Sequence, residues 1–252
     1  MAQFRTLAAR LIRSTSLSAL TNHLEFEVQG VTRFGFVPGQ WLSVRVRTSE
    51  GEEITRAYSI ASAPLEREFA FCLNRVQDGF MSNFLCDLMQ GTEISFQGPF
   101  GDFILRPPLH DTLFIATGTG IAPFRSMLNA LFNPTAEHRA ADRVTREHLL
   151  PPSQQFWLLF GARSEQDIYY REEFERLAAE HSNFQFMPTL SRGGPDWCGL
   201  RGYVQDHVRE VVGGRRDMQA YICGLDKMVS ANRELLRSLE WNPGTIRCEK
   251  YD

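Results

Sequence analysis

The spacing of apolar residues changes period once along this chain, and that change limits the folds open to it. Up to about residue 108, apolar positions alternate with polar ones: Leu24, Phe26 and Val28; Leu42, Val44 and Val46; Phe69, Phe71 and Leu73; and the shorter pair Ile94 and Phe96. Successive side chains of a strand point to opposite faces, so a period of two predicts half-buried strands. Pro38-Gly39 and Glu50-Gly51 supply turns between them. Many short strands with few helices predict a small antiparallel barrel. One helix is expected from Ser82 to about Met89, capped by the Ser82 hydroxyl.

Beyond Pro107-Pro108 the pattern is different. Compact apolar runs at Leu113–Ala116, Phe156–Phe160, Phe184–Met187 and Ala220–Cys223 alternate with helical stretches at Ala122–Phe132, Asp167–Glu180, Val204–Val212 and Lys227–Leu239. Buried strands alternating with helices predict a parallel sheet covered on both faces. The polar stretch 133–155, interrupted by Pro151-Pro152, reads as a surface insertion.

Composition narrows the function classes. A formal charge of −3 gives no support for nucleic acid as the main partner, and apolar runs such as Phe156–Phe160 fall far short of a membrane span. The five cysteines, at 72, 86, 198, 223 and 248, form no CxxC pair. Their scatter suits a reducing compartment and supplies neither a zinc site nor the thiolates of an iron–sulfur cluster. The N-terminus carries Arg5, Arg10 and Arg13 and no acid before Glu25. It reads either as a basic first strand or as a mitochondrial transit peptide.

Four local patterns invite chemistry. Thr117-Gly118-Thr119-Gly120-Ile121-Ala122-Pro123 follows an apolar strand and opens a helix, where glycines admit a ligand and exposed amides attract phosphate. Ordinary strand-to-helix turns also use glycine. In Tyr221-Ile222-Cys223-Gly224, Cys223 falls at the carboxyl edge of the sheet, either at a ligand or as a small buried hydrophobe. Arg163, Arg192 and Arg201 each follow a strand or glycine-flanked loop, where guanidinium groups can grip phosphate or simply be solvated. In Arg56-Ala57-Tyr58-Ser59-Ile60-Ala61-Ser62, alternation puts Arg56 and Tyr58 on one face. A charge, a ring and a hydroxyl suit an aromatic dinucleotide such as a flavin; the same residues also suit a half-exposed edge strand. Downstream, Asp78-Gly79-Phe80-Met81-Ser82 leads into a helix start, a second phosphate candidate.

In order, the chain shows PGQW at 38–41, RAYSIAS at 56–62, RVQDGFMSNFL at 75–85, GPFGDF at 98–103, TGTGIAP at 117–123, FGARSEQDIYYREEF at 160–174, LSR at 190–192, RGYVQD at 201–206 and YICGLDKMV at 221–229. Together they resemble the ferredoxin–NADP⁺ reductase family, closer to its bacterial branch. The resemblance implies a β + α/β fold: an N-terminal antiparallel β-barrel FAD domain at 1–108 and a C-terminal Rossmann-like parallel-sheet NADP domain at 109–252.

By position, the resemblance assigns Arg56 to the FAD pyrophosphate, Tyr58 to the isoalloxazine and Ser59 to flavin N5. It sets Cys72, Leu73 and Asn74 beside the ribityl chain, and Gly79, Phe80, Met81 and Ser82 at a second pyrophosphate contact. Thr117 would lie between flavin and nicotinamide, with Gly118, Thr119 and Gly120 near the NADP⁺ pyrophosphate. Arg163, Ser191, Arg192, Arg201 and Tyr203 match positions for the adenosine 2′-phosphate and adenine. Cys223, Gly224 and Met228 match the stretch near the nicotinamide, Glu249 the acidic position that helps proton and electron flow, and Tyr251 the aromatic over the outer flavin face. Asp252 adds a carboxylate that the family pattern lacks at a terminal tyrosine.

The implied activity is NADPH-dependent electron transfer through FAD to a separate ferredoxin or flavodoxin, with Ser59, Cys223 and Glu249 catalytic and no metal. A cytoplasmic monomer is expected, with neither nucleic acid nor membrane as partner. Arg45, Arg47, Arg75 and Arg125 are candidates for docking an acidic carrier. Alternatives are the reductase component of an oxygenase, a free-flavin or ferric reductase, and a non-catalytic flavoprotein relay subunit.

Overall fold

The computed structural model describes residues 5–133 and 153–251, so most of the polar stretch expected as an insertion lies outside the described residues. The described residues divide into two units. One runs up to Leu105 and also takes the helix Ala122–Phe132; the other takes Arg106–Ile121 and the described residues from 153 onward. This differs from a single break after residue 108.

In the first unit, β1 (Leu7–Ser16), β2 (Thr21–Val28), β3 (Trp41–Arg47), β4 (Glu53–Ser59), β5 (Glu68–Asn74) and β6 (Glu93–Phe100) form an antiparallel sheet in the order β4-β3-β6-β1-β2-β5. The two ends of that order meet through the bridge between Ile60 and Phe71, so the sheet curls into a barrel. The basic N-terminal stretch belongs to it: β1 pairs with both β2 and β6. The alternating apolar residues face inward, and Leu24, Phe26, Leu42, Val44, Phe69, Phe71 and Phe96 are almost wholly buried. Aromatic rings dominate this core. Phe69 lies 5.4 Å from Phe26, 5.0 Å from Phe71 and 5.2 Å from Phe96, centroid to centroid.

Helix α1 spans Phe80–Cys86, starting before Ser82 and ending short of Met89. Gly79 is its N-terminal flank, and the expected Ser82 cap is not made. The Ser82 hydroxyl instead accepts from the Val76 amide at 3.1 Å and donates to the Gly79 carbonyl at 3.1 Å. Helix α2 (Ala122–Phe132) joins this unit through its side chains. Arg125 donates to the Ala61 carbonyl at 2.9 Å, Ser126 donates to that of Ser62 at 2.6 Å, and Phe124 packs against Phe103 at 5.8 Å.

The second unit is a parallel sheet of β7 (Thr112–Thr117), β8 (Phe156–Ala162), β9 (Phe184–Leu190), β10 (Leu200–Arg201), β11 (Gln219–Leu225) and β12 (Ile246–Tyr251), ordered β10-β9-β8-β7-β11-β12. One face packs on α4 (Val204–Val212) and α5 (Asp226–Ser238), through Val204, Val208, Val229 and Leu236 against Leu113, Ile115, Leu159 and Ile222. On the other face Phe174 of α3 (Arg171–Glu180) meets Phe184 and Phe186. That helix starts later than the pattern predicts. Asp167 instead closes a 3₁₀ turn by accepting from the Ser164 amide, and Tyr170 takes a left-handed conformation at φ 58°. Ile168 and Tyr169 between them are buried.

Phe69→Ala is expected to lower the barrel's stability by about 3–5 kcal/mol, because it removes a ring from a fully packed aromatic cluster. Urea unfolding followed by fluorescence checks this against Leu20→Ala at an exposed site, expected to change stability by under about 0.5 kcal/mol.

Candidate functional site

Strand β4 is one end of the barrel's strand order. In its ladder with β3, Arg56 stands opposite Val44 and Tyr58 opposite Leu42, so these two share a face, while Ser59 stands opposite Trp41 on the other. The half-buried Tyr58 ring lies 5.4 Å from that of Phe71. Burial pushes its phenol up to about 12 against the pull of the Arg56 charge, so it stays a neutral hydrogen-bonding group. Arg56 is exposed and donates to the Thr55 carbonyl at 2.8 Å; Ser59 is buried.

The other barrel candidates divide by what their side chains already do. Leu73 and Met81 are part of the core, so they can offer a ligand only main-chain groups. Cys72 is buried opposite His23, and Asn74 at the strand end accepts from the Thr21 hydroxyl at 2.9 Å. The turn into α1 is laced by side chains. Besides Ser82, the Asn83 amide donates to the carbonyls of Val76 at 3.0 Å and Gly79 at 2.8 Å. Phe80 is exposed and stacks on Phe84 at 6.3 Å.

In the parallel sheet, strand order reverses between β7 and β11, and ligands of such sheets bind at the carboxyl ends beside that reversal. Thr117 ends β7 and Cys223-Gly224 lie near the end of β11. The two segments are pressed together. A Cβ on Gly120 would sit 2.3 Å from the Cys223 carbonyl oxygen, and one on Gly224 would sit 2.6 Å from the Thr117 hydroxyl and 2.8 Å from the Met228 methyl. Two motifs about a hundred residues apart are thus one feature. The Thr117 hydroxyl is buried with no hydrogen-bond partner among the described residues, an opening that a polar ligand atom fits.

Strand β12, which apolar periodicity did not reveal, pairs in parallel with β11 and sets Glu249 beside Cys223. Tyr251 lies on the same face of β12 as Glu249. Burial first, and the Glu249 charge second, push the Cys223 thiol well above its ordinary range, with the nearby Tyr251 hydroxyl opposing them. The thiol is therefore protonated at neutral pH. A raised pKa adds stability that is present at low pH and is lost as pH climbs toward the folded value.

The remaining candidates form a row at the opposite side of the same edge. Ala162, Leu190 and Arg201 are in register across β8, β9 and β10, so Arg163, Ser191 and Arg192 lie just beyond adjacent strand ends. The Arg192 amide donates to the Arg163 carbonyl at 2.8 Å. Arg163 and Arg192 are exposed and have no ion pair among the described residues. Tyr203 is exposed in front of α4. Arg201 differs, because its guanidinium donates to carbonyls of its own loop.

Three of the four docking arginines are also engaged. Arg45 pairs with Glu53, Arg75 with Asp87, and Arg125 bonds the Ala61 carbonyl. Among the described residues, no group of three acidic, histidine or cysteine side chains could hold a metal ion, and no helix is long and apolar enough to cross a membrane.

Iodoacetamide at pH 8 is expected to label the exposed Cys198 first and to leave Cys223 unlabelled until the protein is unfolded. Peptide mapping by mass spectrometry reads the order.

Comparison with known proteins agrees with this arrangement. The family model described as an oxidoreductase FAD-binding domain matches residues 8–104, and that described as an oxidoreductase NAD-binding domain matches residues 114–234. Ferredoxin–NADP reductase B of Sorangium cellulosum is 41% identical over 100% of both chains. The toluate 1,2-dioxygenase electron transfer component of Pseudomonas putida is 29% identical over 93% of this chain and 64% of its own length. Among solved structures, the cytochrome P450 reductase GcoB of Amycolatopsis superposes with a TM-score of 0.81 at 25% identity, covering 99% of this chain and 71% of that one. The chain belongs to the ferredoxin–NADP reductase family, as an oxidoreductase that joins an FAD-binding barrel to an NAD(P)-binding α/β unit.

Proposed function

We propose that this chain moves electrons between NADPH and a separate one-electron protein carrier, a ferredoxin or flavodoxin, by way of FAD. The observation that carries this reading is the carboxyl edge of the parallel sheet, where Thr117, Cys223 and Gly224 crowd one point and Arg163 and Arg192 stand beyond adjacent strands. A flavin exchanges two electrons at once with a nicotinamide and one at a time with a carrier, which is the chemistry the cofactor supplies.

The chain's own residues bind and orient. In the barrel, Arg56 answers the pyrophosphate charge, Tyr58 offers its ring face, and the buried Ser59 hydroxyl offers a hydrogen bond at flavin N5. Cys72, Leu73 and Asn74 line the ribityl chain, Leu73 through its backbone. Gly79, Phe80, Met81 and Ser82 supply main-chain amides to the pyrophosphate. In the α/β unit, Thr117 meets the nicotinamide and Gly118, Thr119 and Gly120 receive the NADPH pyrophosphate, while Arg163, Ser191, Arg192 and Tyr203 receive the 2′-phosphate and adenine. The protonated Cys223 thiol, with Glu249 beside it and Tyr251 on the same face, presents a neutral edge to the nicotinamide and keeps a carboxylate near to hold a proton. The free cysteines fit a reducing compartment such as the cytoplasm.

A second reading, the reductase component of an oxygenase, is favoured by the likeness to the toluate dioxygenase component. The deciding experiment extracts and identifies the flavin, titrates the holoprotein anaerobically with NADPH and NADH, and assays ferredoxin reduction. Bleaching by NADPH with ferredoxin turnover is expected; bleaching without turnover favours the second reading, and no bleaching a passive relay.

Two outcomes follow from the residues. A 2′-phosphate carries nearly two negative charges, so kcat/KM is expected to favour NADPH, and Arg163→Gln/Arg192→Gln to erase at least about 2 kcal/mol of that preference. Equal efficiencies for the two coenzymes in the wild type would overturn the reading. Ser59→Ala is expected to slow flavin reduction at least about tenfold in stopped flow, with NADPH affinity changed less than about threefold.

A further inference from the structure

We infer that Ser126 is a positioning residue for the flavin segment: its hydroxyl holds the chain just after Ser59, which makes helix α2 part of the FAD site. This rests on the reading of Ser59 as the group at flavin N5, and it adds a residue and a helix to that reading.

Strand β4 ends where the barrel closes. Its ladder with β3 runs to the pair of Ser59 with Trp41. The next residues cross toward β5. The Ile60 amide still donates to the Gln40 carbonyl at 2.9 Å, Ile60 bridges to Phe71, and the Ala61 amide donates to the Ala70 carbonyl at 2.8 Å. The Ser62 hydroxyl accepts from the Ala70 amide at 3.0 Å. The carbonyls of Ala61 and Ser62 are met by α2, through the Arg125 guanidinium at 2.9 Å and the Ser126 hydroxyl at 2.6 Å. Ser126 is wholly buried, so its bond belongs to the interior of the unit and not to its surface.

Two motifs that the cofactor assignments leave without a role meet the same helix. In Pro38-Gly39-Gln40-Trp41, Gly39 has φ 100°, and a Cβ there would run into the Phe103 carbonyl and sit 2.5 Å from the Met127 methyl. In the stretch 98–103, the Phe103 ring lies 5.8 Å from that of Phe124. The segment after Ser59 is thus held by Gln40 on one side and by α2 on the other, while α2 is itself seated on Gly39 and Phe103. Residues 122–132 fall inside the region matched as an NAD-binding domain, yet their packing groups them with the barrel.

Removing the Ser126 hydroxyl takes a donor from the Ser62 carbonyl in the interior, and the backbone turns to find another partner. Ser59 lies three residues upstream, buried at the last rung of the ladder, so that turn tilts its hydroxyl and loosens the end of β4. Misplacement of a reacting or positioning group by about 1 Å costs up to about a hundredfold in rate.

The test uses the whole chain. FAD binding to the apoprotein is read by quenching of flavin fluorescence, 2′,5′-ADP binding to the FAD-loaded protein by calorimetry, and flavin reduction by NADPH in stopped flow. Ser126→Ala is expected to weaken FAD about tenfold and to slow reduction about fivefold, with 2′,5′-ADP affinity changed less than about twofold. Ser59→Ala/Ser126→Ala is expected to keep at least about half the reduction rate of Ser59→Ala, because Ser126 acts through Ser59. Should Ser126→Ala not fold, Arg125→Gln removes the neighbouring donor and is expected to weaken FAD about threefold, again with little change in 2′,5′-ADP. Unchanged FAD affinity and reduction rate, or rate losses that multiply in the double variant, would overturn the inference. So would a larger loss for 2′,5′-ADP than for FAD, which would make α2 a support of the glycine turn before it. If Ser59→Ala by itself leaves reduction unchanged, the N5 role of Ser59 falls. FAD affinity then decides the rest: weakened binding in Ser126→Ala upholds the hold on the segment, and unchanged binding removes it.

Discussion

The close approach of two backbones at the reversal of the parallel sheet governs the rest of the α/β unit. Gly120 and the Cys223–Gly224 peptide touch with no room for a methyl group. That contact requires β7 and β11 to be neighbours, which the strand order provides. It also brings a threonine hydroxyl with no partner among the described residues, a protonated thiol and a carboxylate to one end of the sheet. Polar groups held in or near the interior are costly where they serve packing alone, and their concentration supports the ligand site proposed here.

Residues within the recognisable motifs do two kinds of work. Leu73 and Met81 fill the barrel core, and Ser82 and Asn83 hold the turn before α1. Arg56, Tyr58, Arg163 and Arg192 keep surface available for binding. A motif is thus a mixture of contacts to a ligand and contacts that keep those contacts in place.

Much of the architecture was legible from spacing. The alternation at Leu24–Val28, Leu42–Val46 and Phe69–Leu73 became β2, β3 and β5, and the helices at Ala122–Phe132 and Val204–Val212 have the expected bounds. Misses came where local signals compete. Ser82 looked like a cap, but its hydroxyl accepts from the Val76 amide in the preceding turn. The stretch from Asp167 to Tyr170 carries helical spacing, yet Asp167 bonds Ser164 and two apolar residues plug the core. No residue of strand β12 is fully buried, and no apolar run announces it.

By itself the sequence determined most of the half-buried strands, buried strands and helices, because these depend on the period of apolar residues along the chain. It also determined the kinds of groups present: a ring and a cation in β4, glycines after β7, arginines after successive strands. Only tertiary structure decided which groups meet. The pairing of Cys223 with Glu249 and the contact of Gly224 with Thr117 depend on strand order and loop path. Those follow from how whole elements bury their faces, a balance of packing and chain entropy that no local window contains.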